Sequence, residues 1–223
     1  MAGLSGKEFL MTQSIGLFVV ANDTNSTFIS HLFYELSHNV DVQRRLQTEI
    51  DEAFERENPE GTMLEYSTIQ GLQYMGMVIQ ETLRRYPPVG GVPRTCTKEY
   101  TFPGTTVTIP AGTEVHIPVV GFHFDQDIFP DPQKFDPERF TPEAKAARHP
   151  MAYMPFGDGP RKCIGLNFAL LLARVCLVRM LRSYSLVQCQ QTPTVLTYHH
   201  ESLFLRPKEK LLIKVERRAG FPG

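Results

Sequence analysis

Phe156-Gly157-Asp158-Gly159-Pro160-Arg161-Lys162-Cys163-Ile164-Gly165 is the stretch from which this chain can be read. Its glycines and proline rule out regular structure just ahead of the cysteine. The Leu-rich run 166–184 that follows predicts a helix beginning just after it. A thiol placed there lies at a helix N-terminus, where unpaired N–H groups and the helix dipole favour the thiolate. Arg161 and Lys162 add positive charge within two residues. The loop is therefore expected to keep one sulfur ionised and turned outward. A lone cysteine is more often a small buried apolar residue. That reading is kept for Cys96, Cys176 and Cys189, which lack these surroundings.

The pattern Phe-x-x-Gly-x-Arg-x-Cys-x-Gly is filled by Phe156, Gly159, Arg161, Cys163 and Gly165. It resembles the haem-ligand loop of the cytochrome P-450 monooxygenases, and so many fixed positions are far more specific than a lone Gly-x-Gly-x-x-Gly. The resemblance implies a mainly α chain with small β-sheets (α+β), the C-terminal half of that family's fold. It implies haem b (iron protoporphyrin IX) with the Cys163 thiolate as axial ligand and metal ligand, within a cofactor loop that includes Phe156, Gly157 and Gly165. In the family that thiolate pushes electron density toward the iron and favours O–O cleavage.

Composition sets bounds. The 223 residues, 42% hydrophobic, can bury a substantial core. A formal charge of −1 lacks the basic excess of a nucleic-acid footprint. Four scattered cysteines without CxxC pairs suggest a reducing compartment and no disulfide framework. The seven histidines show no zinc-type spacing. The polar start, Met1-Ala2-Gly3-Leu4-Ser5-Gly6-Lys7-Glu8, does not read as a signal peptide. The most apolar run, 164–181, carries Asn167, Arg174 and Arg179, a pattern that suits a helix buried in protein better than one in lipid.

Periodicity predicts the elements in order. Ser5-x-x-Glu8 reads as a capping box opening a helix over about 6–38. A charged helix over 41–56 carries the stripe Leu46, Ile50 and Phe54. A third, over about 69–86, is stopped by Pro87-Pro88. Strands are expected at 105–109 and 114–119 around the turn 110–113, then a long ordered loop over 120–162 with one helical turn. After the 166–184 helix, strands are expected at 185–189, 194–199 and 211–216.

Glu81-Thr82-Leu83-Arg84 puts a carboxylate and a guanidinium on one helix face, by itself an ordinary surface ion pair. The resemblance implies more: Glu81, Arg84 and Arg139 of Pro137-Glu138-Arg139-Phe140 form a charged structural cluster that pins the long loop. The polar stretch 22–27 inside the first helix reads as a solvated stripe or as side chains bonding back to helix carbonyls. By resemblance, Val20-Ala21-Asn22-Asp23-Thr24 aligns with the oxygen-binding helix, with Val20 and Ala21 replacing a small residue and a glycine. Asp23 and Thr24 would then be catalytic, Thr24 hydrogen-bonding dioxygen and Asp23 feeding protons. Arg94 and Arg161 match arginines that meet haem propionates, and His123 falls near a third such position. Phe18, 89–92 and Leu203-Phe204 fall where the family lines its substrate pocket.

The resemblance runs from about Ser5 to the C-terminus, and looks closest to eukaryotic microsomal members that oxidise xenobiotics and steroids. It implies an NADPH-dependent reductase, with a cytochrome b-type donor as a further partner, and a hydrophobic small-molecule substrate. The family places an anchor and half of the pocket before the oxygen-binding helix. The full-length parent is thus expected on the cytoplasmic face of the endoplasmic reticulum membrane, and this chain alone in the cytosol or at a membrane periphery. The alternative is a truncated, inactive haem-binding or interaction fragment.

Overall fold

The computed structural model describes residues 6–199 and 204–219. Helix α1 (Gly6–His38) runs unbroken through the polar stretch. Thr24 Oγ1 donates to the Val20 carbonyl at 2.8 Å, Asn25 Nδ2 to that of Ala21 at 2.8 Å and Ser26 Oγ to that of Asn22 at 2.6 Å. These three side chains thus satisfy themselves on their own helix. The expected capping box rests on Ser5, which lies outside the described residues. Phe28, Leu32 and Leu36 enter the core, whereas Phe9, Leu10, Ile15 and Phe18 leave the first half of α1 with an exposed apolar face.

Helix α2 (Val40–Glu57) buries Leu46, Ile50 and Phe54 completely, the stripe its period predicts. The single helix expected over 69–86 is instead two, α3 (Tyr66–Gly71) and α4 (Gln73–Arg85), broken at Leu72, whose ψ is 100°. Tertiary contacts make the break. Arg174, from helix α7 (Leu166–Ser183), donates to the Ile69 and Leu72 carbonyls at 3.1 Å. The Glu49 carboxylate on α2 accepts from the Tyr74 and Met75 amides at 2.7 and 2.9 Å, capping α4 from outside. The two helices pack with α1, α2 and α7 around a common core that includes Leu32, Ile50, Val78 and Leu177.

Among the described residues, three two-stranded antiparallel sheets accompany the helices. Strand β1 (Val92–Thr95) pairs with β4 (Glu114–Ile117), setting Arg94 opposite Val115. Strand β2 (Tyr100–Thr101) pairs with β3 (Thr108–Ile109). The strand expected over 105–109 shrinks to β3 because Thr105 belongs to a turn: Gly104 takes φ 74° and the Val107 amide donates to Thr105 Oγ1. The one expected over 114–119 stops at Ile117, since Pro118 caps helix α5 (Val119–His123). The segment expected as loop with one turn also holds α6 (Pro142–Ala146) and 3-10 turns at Pro137–Phe140, Pro150–Ala152 and Gly159–Arg161. Strand β5 (Tyr184–Gln188) pairs with β6 (Ile213–Arg217). No strand forms over 194–199, where only an isolated bridge, Tyr198 to Pro207, is made. No helix among the described residues is long and apolar enough to cross a membrane.

Candidate functional site

A cleft of about 340 Å³ opens between the middle of α1, the chain after α4, and the loop that precedes α7. Its wall is largely apolar, with Val20, Ala21, Val89, Val92, Phe156, Phe168 and Phe204, and Cys163 lies on it. The loop is shaped by its backbone. The Cys163 amide donates to the Phe156 carbonyl at 3.0 Å, closing the segment on itself. Gly157 and Gly159 take φ 67° and 72°, where side chains are strained, and this reverses the chain sharply enough to expose Cys163. Gly165 directly precedes α7; a Cβ there would stand 3.9 Å from Cys163 Sγ.

Two guanidiniums share the cleft with this sulfur. Arg94 projects from β1 and donates to its neighbouring Pro93 carbonyl at 2.8 Å. Arg161 closes the 3-10 turn and is exposed. Neither has a carboxylate partner among the described residues. An exposed thiol, an apolar wall and two cations without counter-charge fit a flat apolar ligand that carries a metal and carboxylates.

Thr24 faces the same cleft from α1, its hydroxyl proton directed to the Val20 carbonyl and its oxygen lone pairs still available. Asp23, one residue earlier, does not line the cleft; it is ion-paired with Arg206. Phe18 corrects the sequence expectation. It is 74% exposed and points away, and Leu17 lines the cleft in its place. Leu203 lies outside the described residues, while Phe204 is on the wall.

Behind the cleft, Glu81 and Arg84 are both wholly buried and joined by two hydrogen bonds of 2.7 and 2.8 Å. Arg84 also donates to the His123 and Pro132 carbonyls at 2.8 Å, and the Asp136 amide donates to Glu81 Oε1 at 2.9 Å. Arg139 stands 3.7 Å from Glu81 and donates instead to the Asp131 carbonyl at 2.8 Å. The loop is thereby stitched to α4 mostly through backbone groups. Burial pushes the Glu81 carboxyl up, against the pull of Arg84 and Arg139.

His123 overturns its expected placement near a propionate. It is fully buried, with Nδ1 donating to the Arg84 carbonyl at 2.9 Å and Nε2 accepting from the Met154 amide at 3.2 Å. Both ring nitrogens are thus used inside the protein, and burial lowers its pKa to about 4. Sequence reasoning missed Asp136 and Arg148, the latter stacked over Phe129 at 4.2 Å and bonded to the Arg139 carbonyl. It also missed Cys189, which is not a buried apolar thiol: Thr192 donates to its sulfur and lowers its pKa. No motif marks these residues; the folded long loop brings Asp136 and Arg148 to the cluster, and a separate turn after β5 holds Cys189.

Comparison with known proteins agrees with the geometry. Residues 4–215 match the family model described as Cytochrome P450. The chain is 38% identical over 209 residues to "Probable cytochrome P450 6a13" of Drosophila melanogaster, covering 94% of this chain and 42% of that protein. It is 39% identical over 211 residues to "Cytochrome P450 3A12" of Canis lupus familiaris, covering 95% and 41%. With "Cytochrome P450 3A19" of Capra hircus aegagrus it shares 37% over 200 residues, covering 90% of this chain and 88% of that one. The chain thus spans about two fifths of the length of the first two relatives.

Proposed function

The chain belongs to the cytochrome P450 family, and we propose that it carries the haem-thiolate portion of a monooxygenase, in which the Cys163 thiolate would hold the haem iron. The observation that carries this reading is the exposed Cys163 on an apolar cleft shared with Arg94, Arg161 and Thr24. When bound, the haem supplies the activation of dioxygen by which one oxygen atom enters a hydrophobic small molecule, with electrons from an NADPH-dependent reductase or a cytochrome b-type donor.

The chain's own residues do the rest. Cys163 presents its sulfur from a loop whose glycines fix its direction. Arg94 and Arg161 orient the ligand by its carboxylates through fork-shaped hydrogen bonding. Val20, Ala21, Phe168 and Phe204 give the cleft an apolar lining suited to an apolar ligand. Thr24 Oγ1 stands beside that lining with its lone pairs free, and Asp23, once released from Arg206, would feed it protons. Glu81, Arg84 and Arg139 keep the loop's base rigid, a structural role. Arg161 and Lys162 are exposed cations suited to an acidic electron donor. In a full-length parent the location is the cytoplasmic face of the endoplasmic reticulum membrane.

A second reading is a chain that binds haem weakly or serves only in interaction. The exposed apolar residues of α1, together with Ile164 and Phe168, favour it, because a cleft so open to water holds an apolar ligand loosely. One spectrum separates the two. The purified chain is reconstituted with haem, reduced and exposed to carbon monoxide. A strongly red-shifted Soret band that Cys163→Ala abolishes is expected. A band typical of free or histidine-ligated haem, unchanged in Cys163→Ala, supports the second reading.

A further inference from the structure

The ion pair between Arg206 Nη2 and Asp23 Oδ2 ties the C-terminal segment to the middle of α1. The same short segment is fastened at its other end to the chain that follows α4. Phe204 bridges to Val89, and the Leu205 amide donates to the Pro88 carbonyl at 3.0 Å. Residues 204–206 therefore form a strap across one side of the cleft. Phe204 is part of the cleft wall, whereas Arg206 grips an acid just outside it. Successive helical residues point about 100° apart. Thr24 therefore faces the cleft while Asp23 is turned to the strap. A neighbouring contact steadies the strap: Tyr198, bridged to Pro207, stacks on His31 with ring centroids 6.1 Å apart.

We propose that Arg206 is a positioning residue that holds Asp23 turned away from the cleft, so that one strap sets both the apolar wall at Phe204 and the acid beside Thr24. This rests on Asp23 serving as the acid of the haem site. For Asp23 to reach Thr24's side of the helix, its carboxylate must leave the guanidinium and change rotamer. Arg206 thus decides how often the acid is available, and it touches neither ligand nor reacting atoms.

Two measurements test this. Hydrogen exchange is followed on the chain without haem in wild type, R206K, R206Q, D23N and the R206Q/D23N double variant. The amides of 204–206 are expected to exchange about threefold faster in R206Q and in D23N. R206K should stay near wild type, and the double variant should be no faster than either single one. Unchanged exchange in R206Q overturns the strap, whatever the chain does with haem. The haem-loaded chain is then supplied with NADPH and reductase, and the share of electrons released as hydrogen peroxide is measured. R206Q is expected to change that share, R206K to restore it, and R206Q to have no further effect in the D23N background. A D23N variant with unaltered peroxide yield and an intact thiolate spectrum removes Asp23 as the acid, and Arg206's role with it. If D23N alters the yield and R206Q does not, the positioning role falls and the acid stands.

Discussion

Arg84 donates to both carboxylate oxygens of Glu81, three residues earlier on the same helix, at 2.7 and 2.8 Å with both side chains shut off from solvent. A surface pair of this spacing is worth a few tenths of a kcal/mol. Here each partner also serves the loop, since Arg84 takes its carbonyls and Glu81 takes the Asp136 amide. Removing either partner leaves a buried charge without its match.

Glu81→Gln and Arg84→Met are therefore each expected to destabilise the chain by about 3–5 kcal/mol. Arg84→Lys should rescue little, because a point charge cannot span the carboxylate and two carbonyls at once. Urea melts check this, and an Arg84→Lys chain as stable as wild type would reject the fork as the source of the stability.

Acid should weaken the fold through two buried histidines. Burial holds His31 and His123 at about 4, against an ordinary value of 6.5. Between those values the unfolded chain binds more protons, so stability falls as pH drops from 6.5 toward 4. For His123 the geometry sharpens the effect, since a proton on Nε2 would face the Met154 amide. Glu81, held high by burial, works with the opposite sign. Each histidine contributes a slope of up to about 1.4 kcal/mol per pH unit. Melts of His31→Gln and His123→Gln across this range should each show a flatter dependence than wild type.

The loop glycines should separate by conformation. A methyl group on Gly157 or Gly159 meets nothing within 4 Å, so the cost of Gly→Ala lies in the positive φ, about 1–2 kcal/mol. Gly165 has φ −86°, and an added Cβ meets Cys163 Sγ at an ordinary 3.9 Å. Gly165→Ala is expected to melt within about 0.5 kcal/mol of wild type. The rate at which a disulfide reagent labels Cys163 should change in the first two variants and stay close to wild type in the third.

Arg174 should prove to be the wedge between α3 and α4. Its removal in Arg174→Met takes the Arg174 donor from the Ile69 carbonyl and from that of Leu72, which keeps the Gly76 amide at 3.2 Å, a loss of about 1–3 kcal/mol. Hydrogen exchange over 69–76 would rise well above that of the rest of α4. Uniform protection across both helices would mean that the break is intrinsic to Leu72.

Much of this molecule follows from short-range order in the chain. The Leu46, Ile50 and Phe54 stripe lies on the buried face of α2 because a helix returns every fourth residue to one side. Prolines end α4 and open the turns of the long loop because they lack an N–H to give. The spacing around Cys163 is local in the same sense, since its glycines and the following helix act within ten residues.

The tertiary structure decided what depends on distant partners. Helix propensity alone does not break 69–86; Arg174 and Glu49, remote in sequence, do. Whether His123 meets solvent or a carbonyl depended on where Arg84 came to lie, and it came to lie beside it. Asp23 reads as one more polar residue on a helix until the C-terminal segment returns to place Arg206 against it. Local periodicity specifies which face an element buries, but the partner that a buried or charged group finds is set by packing across the chain.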